Sequence, residues 1–141
     1  LRMYLIDTNI FLEVLLGRRR KNECKRFLRE IRDGKLRAFF TDFSVHSIIV
    51  IMSSFNRLEG LKKFLRSLKG YKGLSVYNTS LGDEVRAIDN CKKLNLSIED
   101  SIQYTVAKKL GVTAIISYDK HFDGLDIPRL EPSNVVKRKE P

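Results

Sequence analysis

Short apolar runs alternate along this chain with longer segments whose apolar residues recur at helical spacing. Strand-like runs occupy residues 3–6, 36–40, 74–77 and 113–117, and residues 128–130 predict a short edge strand. Helical spacing is found between these runs, at residues 10–16, 22–32, 43–55, 58–69, from residue 80 onward, and 96–110. Strands that alternate with helices are typical of a sheet covered by helices on both faces. The pattern predicts an α/β protein with three layers, α/β/α, around a mainly parallel central sheet of four to five strands.

Two of the predicted helices have distinctive apolar patterns. The segment 43–55 is almost continuously apolar and too long for a strand, which predicts a central, largely buried helix. The next segment places four leucines on one face and basic residues on the other. The leucines are Leu58, Leu61, Leu65 and Leu68. A stripe of this kind is usually the core-facing side of a helix.

The composition indicates one globular domain. The 141 residues are 43% hydrophobic and 31% charged, which is neither a disordered nor a membrane composition. The longest apolar run is too short to cross a bilayer, and no secretory pattern precedes Met3. We therefore expect a cytoplasmic protein without membrane association. We predict a domain at residues 1–132 and a basic tail at residues 133–141.

The charge of the chain favours a polyanionic partner. Lysine and arginine outnumber aspartate and glutamate by 27 to 17, for a net charge of +10. Basic clusters gain affinity for nucleic acids by releasing counterions from phosphates. One cluster lies in the connection just after the first predicted helix, and we expect it to bind RNA: Arg18, Arg19, Arg20 and Lys21. The other basic pairs are equally consistent with solvated helix faces.

Three aspartates fall where an open α/β sheet gathers ligands. Asp7 and Asp119 follow predicted strands, and Asp100 lies at the start of a predicted helix. Ligands of such sheets bind beyond the carboxyl ends of the strands, and carboxylates there suit a divalent cation. Each acid also has a structural explanation. Asp7 is a possible helix cap, Asp100 a possible capping-box partner of Ser97, and Asp119 and Asp123 possible ordinary loop residues.

Three sequence blocks carry a family resemblance. Residues 4–9 read YLIDTN, residues 96–101 read LSIEDS, and residues 115–123 read IISYDKHFD. In this order and spacing they resemble the best-known motifs of the PIN domain family, over essentially the whole chain to about residue 132. Among its members, the single-domain toxins of VapBC toxin–antitoxin systems are similar in size.

The resemblance implies roles for individual residues. It makes Asp7, Asp100 and Asp119 the catalytic acids and ligands of Mg²⁺ or Mn²⁺, with Asp123 as a further metal ligand. A second group of polar residues is expected to support the site: Thr8, Asn9, His46, Ser47 and Ser117. The implied activity is that of a metal-dependent endoribonuclease, which hydrolyses a phosphodiester bond in RNA.

The resemblance also implies protein partners. Toxins of this kind pair with a small antitoxin protein, and they commonly form homodimers through the helices near the second and third strands. The leucine stripe described above is a candidate for part of such a dimer surface.

One departure from the family pattern affects the expected activity. Members usually carry a glutamate on the helix after the second strand, and Ser47 or His46 occupies that position here. Neither supplies a carboxylate, and Asp42 lies earlier in the segment. The departure favours an alternative in which the chain is a non-catalytic PIN-like module that binds RNA or protein. Retention of the three aspartates favours the enzyme.

Overall fold

The computed structural model describes residues 2–136 and contains a five-stranded sheet. The strands are listed in chain order: β1 at Met3–Ile6, β2 at Arg37–Thr41, β3 at Leu74–Tyr77, β4 at Ala114–Ile116 and β5 at Arg129–Leu130. The spatial order is β3-β2-β1-β4-β5, and every neighbouring pair is parallel. The predicted fold class is confirmed.

Seven α-helices flank the sheet within the described residues. They are α1 at Thr8–Leu15, α2 at Lys21–Arg32, α3 at Asp42–Ser54, α4 at Leu58–Ser67, α5 at Leu81–Leu94, α6 at Ile98–Leu110 and α7 at Pro132–Val135. Two 3₁₀ turns lie at Leu68–Gly70 and Lys120–Phe122. The helix that follows β1 begins two residues earlier than the pattern predicts, because the Asp7 side chain accepts a hydrogen bond from the Thr8 N–H and caps it.

The core lies on both faces of the sheet, as the alternation of side chains along a strand requires. In the central strand β1, Tyr4 and Ile6 pack on one face, where the Tyr4 ring meets Phe27 of α2 edge to face at 6.4 Å. Leu5 points to the opposite face and packs in a cluster that includes Tyr104 of α6. Burial on both faces fixes the register of β1, and therefore the position of the residue that follows it.

Helix α3 is less buried than its sequence predicts. Its buried side chains are Ser44, Ile48 and Met52, which are spaced four apart on one face. Val50 on another face is 67% exposed. The prediction of a largely buried helix was wrong because α3 covers the sheet with one face only, and a continuous apolar run does not reveal which side has a partner.

The leucine stripe of α4 contributes mainly to the core. Leu61 is buried, and Leu65 and Leu68 pack partly buried against the larger core cluster. Leu58, at the first position of α4, is 55% exposed. Most of this stripe is therefore engaged within the chain.

The C-terminal part of the described chain belongs to the domain. Helix α7 spans residue 132, and Val135 and Val136 pack against the larger core cluster. The fold therefore continues past the predicted boundary at residue 132, to at least residue 136. The remaining residues of the predicted basic tail, 137–141, lie outside the described residues. Among residues 2–136, no helix has the length and apolar character needed to cross a membrane.

Gly73 provides a test of this packing. A Cβ atom at this position would lie 2.1 Å from the Leu36 carbonyl oxygen and 2.8 Å from the Ile31 carbonyl oxygen, and neither backbone atom can move freely. We expect Gly73→Ala to lower the free energy of unfolding by about 2 to 3 kcal/mol, as overpacking does. Chemical denaturation measures this change. Gly70→Ala is the control because nothing lies within 4 Å of its added Cβ; equal stability of the two variants would contradict the packing described.

Candidate metal centre

A polar cleft of about 220 Å³ lies beyond the carboxyl ends of the central strands. Asp7 follows β1 directly, Asp119 lies three residues after β4, and Asp100 is in the first turn of α6. All three line the cleft, together with Thr8, Asn9, Leu12, Phe43, Ser47, Ile51, Glu99 and Gln103. The three aspartates therefore line one cleft from separate chain segments.

Asp7 is held by the elements on either side of it. Its N–H donates to the Ile116 carbonyl at 2.9 Å, which continues the pairing of β1 with β4. Its carboxylate accepts from the Thr8 N–H at 2.8 Å, from the Ser117 hydroxyl at 2.6 Å and from Asn9 Nδ2 at 3.2 Å. The side chain is buried and fixed in one orientation.

Ser117 connects two of the aspartates. Its hydroxyl donates to Asp7 Oδ2 at 2.6 Å and accepts from the Asp119 N–H at 2.9 Å. Behind it, Arg129 donates to the Ser117 carbonyl at 3.1 Å. The side chain of Arg129 is anchored in turn by Asp123 and Glu131. Sequence reasoning did not single out Arg129, since only the pairing of β5 with β4 brings it beside the loop.

Asp100 owes its position to the start of α6. The Ser97 hydroxyl caps this helix by accepting from the Asp100 N–H at 3.2 Å. Asp100 as a whole residue is 9% exposed and lines the cleft. One half of the expected capping box is therefore present, the bond from the Asp100 N–H to the Ser97 hydroxyl, and it positions a cleft residue at the same time.

His121 lies closer to the acids than the sequence indicates. Its Nδ1 is 2.8 Å from Asp119 Oδ1 and 3.8 Å from Asp100 Oδ2, although the ring itself is 79% exposed. Donor atoms of Asp100, Asp119 and His121 all lie within 4.8 Å of one another. The signal for this residue is its place two positions after Asp119 in the 3₁₀ turn, which folds the chain back.

The carboxylates in the cleft repel one another. Burial raises the pKa of Asp100 to about 6, and the neighbouring carboxylates of Asp119 and Asp7 add to the shift. Burial also raises the pKa of Asp7, while its hydrogen bonds from Ser117 and Thr8 work in the other direction. Keeping these carboxylates ionised in the cleft therefore costs free energy, and a cation bound between them would reduce their repulsion.

A network of neutral polar side chains lies beside the acids. The Ser44 hydroxyl accepts from Thr8 Oγ1 at 2.8 Å and from Gln103 Nε2 at 2.6 Å. Thr41, which caps α3, also contacts Ser44 at 3.3 Å. Sequence reasoning missed Ser44 and Gln103, because nothing in their local pattern distinguishes them from other polar helix residues. The network joins α1, α3 and α6 around the cleft.

Three residues considered from sequence lie away from the acids. Asp123 pairs with Arg129 at 2.7 Å and does not line the cleft, which leaves its predicted role as a metal ligand without support. His46 is exposed and lines an adjoining apolar cavity. Asp42 accepts from the N–H and hydroxyl of Thr79, at 3.2 and 3.0 Å, and so tethers the segment after β3.

The donor set fits a hard divalent cation. The three carboxylates supply oxygen atoms, which Mg²⁺ and Mn²⁺ prefer. Asn9 Oδ1 is buried without a hydrogen-bond partner among the described residues, and Asn9 lines the cleft. An unpaired buried carbonyl oxygen is costly unless a cation or water satisfies it.

A family model for the PIN domain matches residues 4–128, which include all three aspartates. The chain belongs to the PIN domain family. A search of curated protein sequences gave no match.

Solved structures of PIN-type toxins share this fold. The chain is similar to VapC20 of Mycobacterium tuberculosis, described as a toxin that cleaves the sarcin–ricin loop, with 12% identity and a TM-score of 0.75 over 92% of this chain and 99% of that one. It is also similar to a chain of a toxin–antitoxin complex from Klebsiella pneumoniae, with 17% identity and a TM-score of 0.70 over 92% and 97%. A third similar structure is VapBC2 of Rickettsia felis bound to promoter DNA, with 12% identity and a TM-score of 0.66 over 92% and 98%. At these identities the likeness concerns the fold.

Relative to the usual PIN pattern, this chain lacks the acid on α3. Of the two residues that the resemblance sets at that place, Ser47 lines the cleft, whereas His46 lines the adjoining cavity, and neither carries a carboxylate.

The basic cluster after α1 divides into two groups. Arg18, Arg19 and Lys21 are exposed. Arg20 is instead engaged: its guanidinium pairs with Glu131 at 3.2 Å and lies 4.3 Å from the centre of the Tyr118 ring. Arg20 therefore has a structural role next to the loop that carries Asp119.

Asp100→Asn tests the electrostatic cost of the site. The folded-state pKa of about 6 lies above the ordinary value of 3.8, so the folded protein binds this proton more tightly than the unfolded chain does. Without metal, the Asp100 contribution to stability should rise as pH falls through about 6 and level off below 3.8. At pH 7, the free energy of unfolding of Asp100→Asn should be about 1 to 2 kcal/mol higher than that of the native protein.

Thermal or urea unfolding in EDTA at pH 7 and pH 5 measures this effect. The advantage of the variant should shrink at pH 5, where native Asp100 is largely protonated. A variant that is less stable than the native protein at pH 7 would contradict the repulsion among these acids.

Proposed function

We propose that this protein is a Mg²⁺- or Mn²⁺-dependent endoribonuclease that acts in the cytoplasm as a VapC-type toxin. The observation that carries the proposal is the convergence of Asp7, Asp100 and Asp119 on one cleft at the carboxyl edge of a PIN-domain sheet. Core packing does not require three acids at these places, and their mutual repulsion works against folding. Their presence is better explained by a ligand that compensates the charge.

Each aspartate has a distinct task in this proposal. Asp7 and Asp119 would hold the ion from the two central strands, with their separation set by Ser117. Asp100 would complete the pocket from α6. When bound, the ion supplies positive charge beside the scissile phosphate and activates water for attack.

The surroundings of the acids keep them in place. The buried contacts of Ser44 with Thr8 and Gln103 join the helices that line the cleft. Burial raises the pKa of Asp7, and the hydrogen bonds from Ser117 and Thr8 offset part of this effect. The chain's own residues thereby present preorganised anionic oxygens, and little rearrangement is needed when a cation binds.

We also propose that the protein pairs with a small antitoxin and forms a homodimer. A similar fold occurs in a toxin–antitoxin complex from Klebsiella pneumoniae. This chain exposes apolar side chains on two surfaces, one at α3 and α4 and one at α5. They are Val50, Phe55 and Leu58 on the first, and Leu81, Val85 and Ile88 on the second. Exposed apolar patches favour protein contacts.

A second candidate function is a PIN-like module that binds RNA or protein without cleaving it. The uncharged Ser47 favours this alternative, because a pocket with fewer carboxylates binds a divalent ion more weakly. Under this alternative the basic surface would still bind RNA.

Asp7→Asn separates the two functions. The substitution removes one negative charge from the buried pocket, and we expect it to reduce metal-dependent cleavage of a structured RNA mixture by about 100-fold or more. Binding of the same RNA should change little, since Asp7 is not part of the basic surface. Gel-based cleavage assays with Mg²⁺ or Mn²⁺, against EDTA, measure the first quantity.

Asp89→Asn is the matched control, because Asp89 is exposed on α5 and does not line the cleft. Cleavage that Asp7→Asn leaves unchanged would show that the site is misassigned. If the native protein binds RNA but cleaves it with neither Mg²⁺ nor Mn²⁺, the binding module is favoured.

The exposed basic residues should govern RNA affinity. Arg18, Arg19 and Lys21 make no ion pairs among the described residues. We expect replacement of all three by alanine to weaken RNA binding and to reduce the slope of log affinity against log salt by about 2 units, at roughly 0.7 units per phosphate contact. Fluorescence anisotropy at several salt concentrations measures the slope.

The control for this experiment carries the same change of charge elsewhere. Alanine at Lys62, Lys63 and Arg66, all exposed on α4, removes three positive charges as well. Equal slopes for the two triple variants would indicate that net charge alone, and not the α1–α2 connection, determines binding.

A further inference from the structure

A fourth acid reaches the cleft beside the three predicted aspartates. Glu99 is the second residue of α6, immediately before Asp100, and it lines the same cleft as Asp7 and Asp119. The sequence-based set of site residues did not include it. Its neighbours in the chain, Ile98 and Ser97, lie on the exposed surface, so Glu99 stands at the rim of the cleft.

Glu99 differs from the other acids in having no partner. Asp7 accepts hydrogen bonds from Ser117, Asn9 and Thr8, and Asp119 is paired with His121. Within residues 2–136, the Glu99 carboxylate takes part in no hydrogen bond or ion pair. It is exposed and free to turn toward the cleft.

Glu99 and Ser47 approach the same space from opposite helices. Both line the acidic cleft, and both line the adjoining cavity of about 310 Å³ together with Phe43 and Ile51. Ser47 lies on α3 and Glu99 on α6. Both residues therefore border the junction of the two cavities. Glu99 carries a carboxylate, whereas Ser47 does not.

We propose that Glu99 provides the fourth carboxylate of the divalent-metal pocket, from α6 and across the cleft from Ser47. The inference rests on the proposed function and specifies one more oxygen ligand for the same ion. Mg²⁺ and Mn²⁺ accept several oxygen donors, and the number of anionic ligands controls their affinity. Glu99 thereby offsets the lack of a carboxylate at Ser47, and the pocket binds metal more tightly than three aspartates alone allow.

Calorimetric titration with Mn²⁺ alone tests this assignment without relying on enzymatic activity. We expect Glu99→Gln to weaken Mn²⁺ binding by about 10-fold or more, a typical cost for changes around a metal site. Glu59→Gln is the matched control: Glu59 is also exposed and also the second residue of its helix, α4, but it does not line the cleft. The control should bind Mn²⁺ within about twofold of the native protein, and the general effect of a charge near a helix N-terminus is the same in both variants.

A compensating substitution tests the geometry. Ser47→Glu in the Glu99→Gln background returns a carboxylate to the same space from the opposite helix, and Mn²⁺ affinity should recover to within about threefold of native. Unfolding curves verify that the double variant is folded. Equal affinities for Glu99→Gln and Glu59→Gln would overturn the inference. If Glu99→Gln weakens Mn²⁺ binding and the folded double variant does not recover it, the placement of Glu99 across from Ser47 is overturned.

Asp7→Asn distinguishes failure of this inference from failure of the proposed function. If Asp7→Asn abolishes Mn²⁺ binding and Glu99→Gln behaves like its control, the metal pocket stands and Glu99 is not part of it. If native protein and Asp7→Asn give the same titration, the pocket itself is misassigned, and the role of Glu99 falls with it.

Discussion

The hydroxyl group of Ser117 carries the constraint on which the site depends. It donates to the carboxylate of Asp7 and accepts from the backbone of Asp119, so it fixes the separation of two groups that repel each other. The Ser117 backbone is held in its own turn by Arg129 from the edge strand. Residues more than a hundred positions apart therefore meet because β1 and β4 are neighbours in the sheet. Any change that shifts this strand pairing would separate the acids.

The carboxylates in the cleft create a strong negative potential there, and their repulsion lowers the stability of the metal-free protein. Burial raises the pKa values of Asp7 and Asp100, which means that their charged forms are disfavoured in the absence of a cation. The surrounding elements withstand this cost because β1 and β4 are buried on both faces. Ionisable groups with shifted pKa values cluster at functional sites in folded proteins. A bound cation would remove the repulsion and stabilise the fold.

Helix α3 shows how the same element serves packing and surface. One face buries Ser44, Ile48 and Met52 against the domain, while Val50 is exposed on another. Ser44 also belongs to the polar network beside the acids, and Ser47 faces the cleft. A change on the exposed apolar face is thus one helical turn from the chemistry, and a protein bound there would lie close to the cleft.

Much of the fold was determined by the sequence alone. Periodicity identified the strands and most helix limits, since burial on two faces leaves continuous apolar runs and helix caps leave local signals. Ser80 with Asp83 at the start of α5, and Gly111 at the end of α6, are examples of such caps. The three aspartates were also identifiable, because they fall at strand ends and at a helix start, where an open α/β sheet gathers ligands.

Only the tertiary structure decided which side chains meet. The pairing of Asp123 with Arg129, the tether of Asp42 to Thr79 and the exposure of one face of α3 depend on contacts between distant segments. Glu99 entered the site for the same reason, since nothing in its local sequence separates it from a surface glutamate. A sequence records what each residue prefers locally, whereas the partner of a charge is set by the three-dimensional path of the chain.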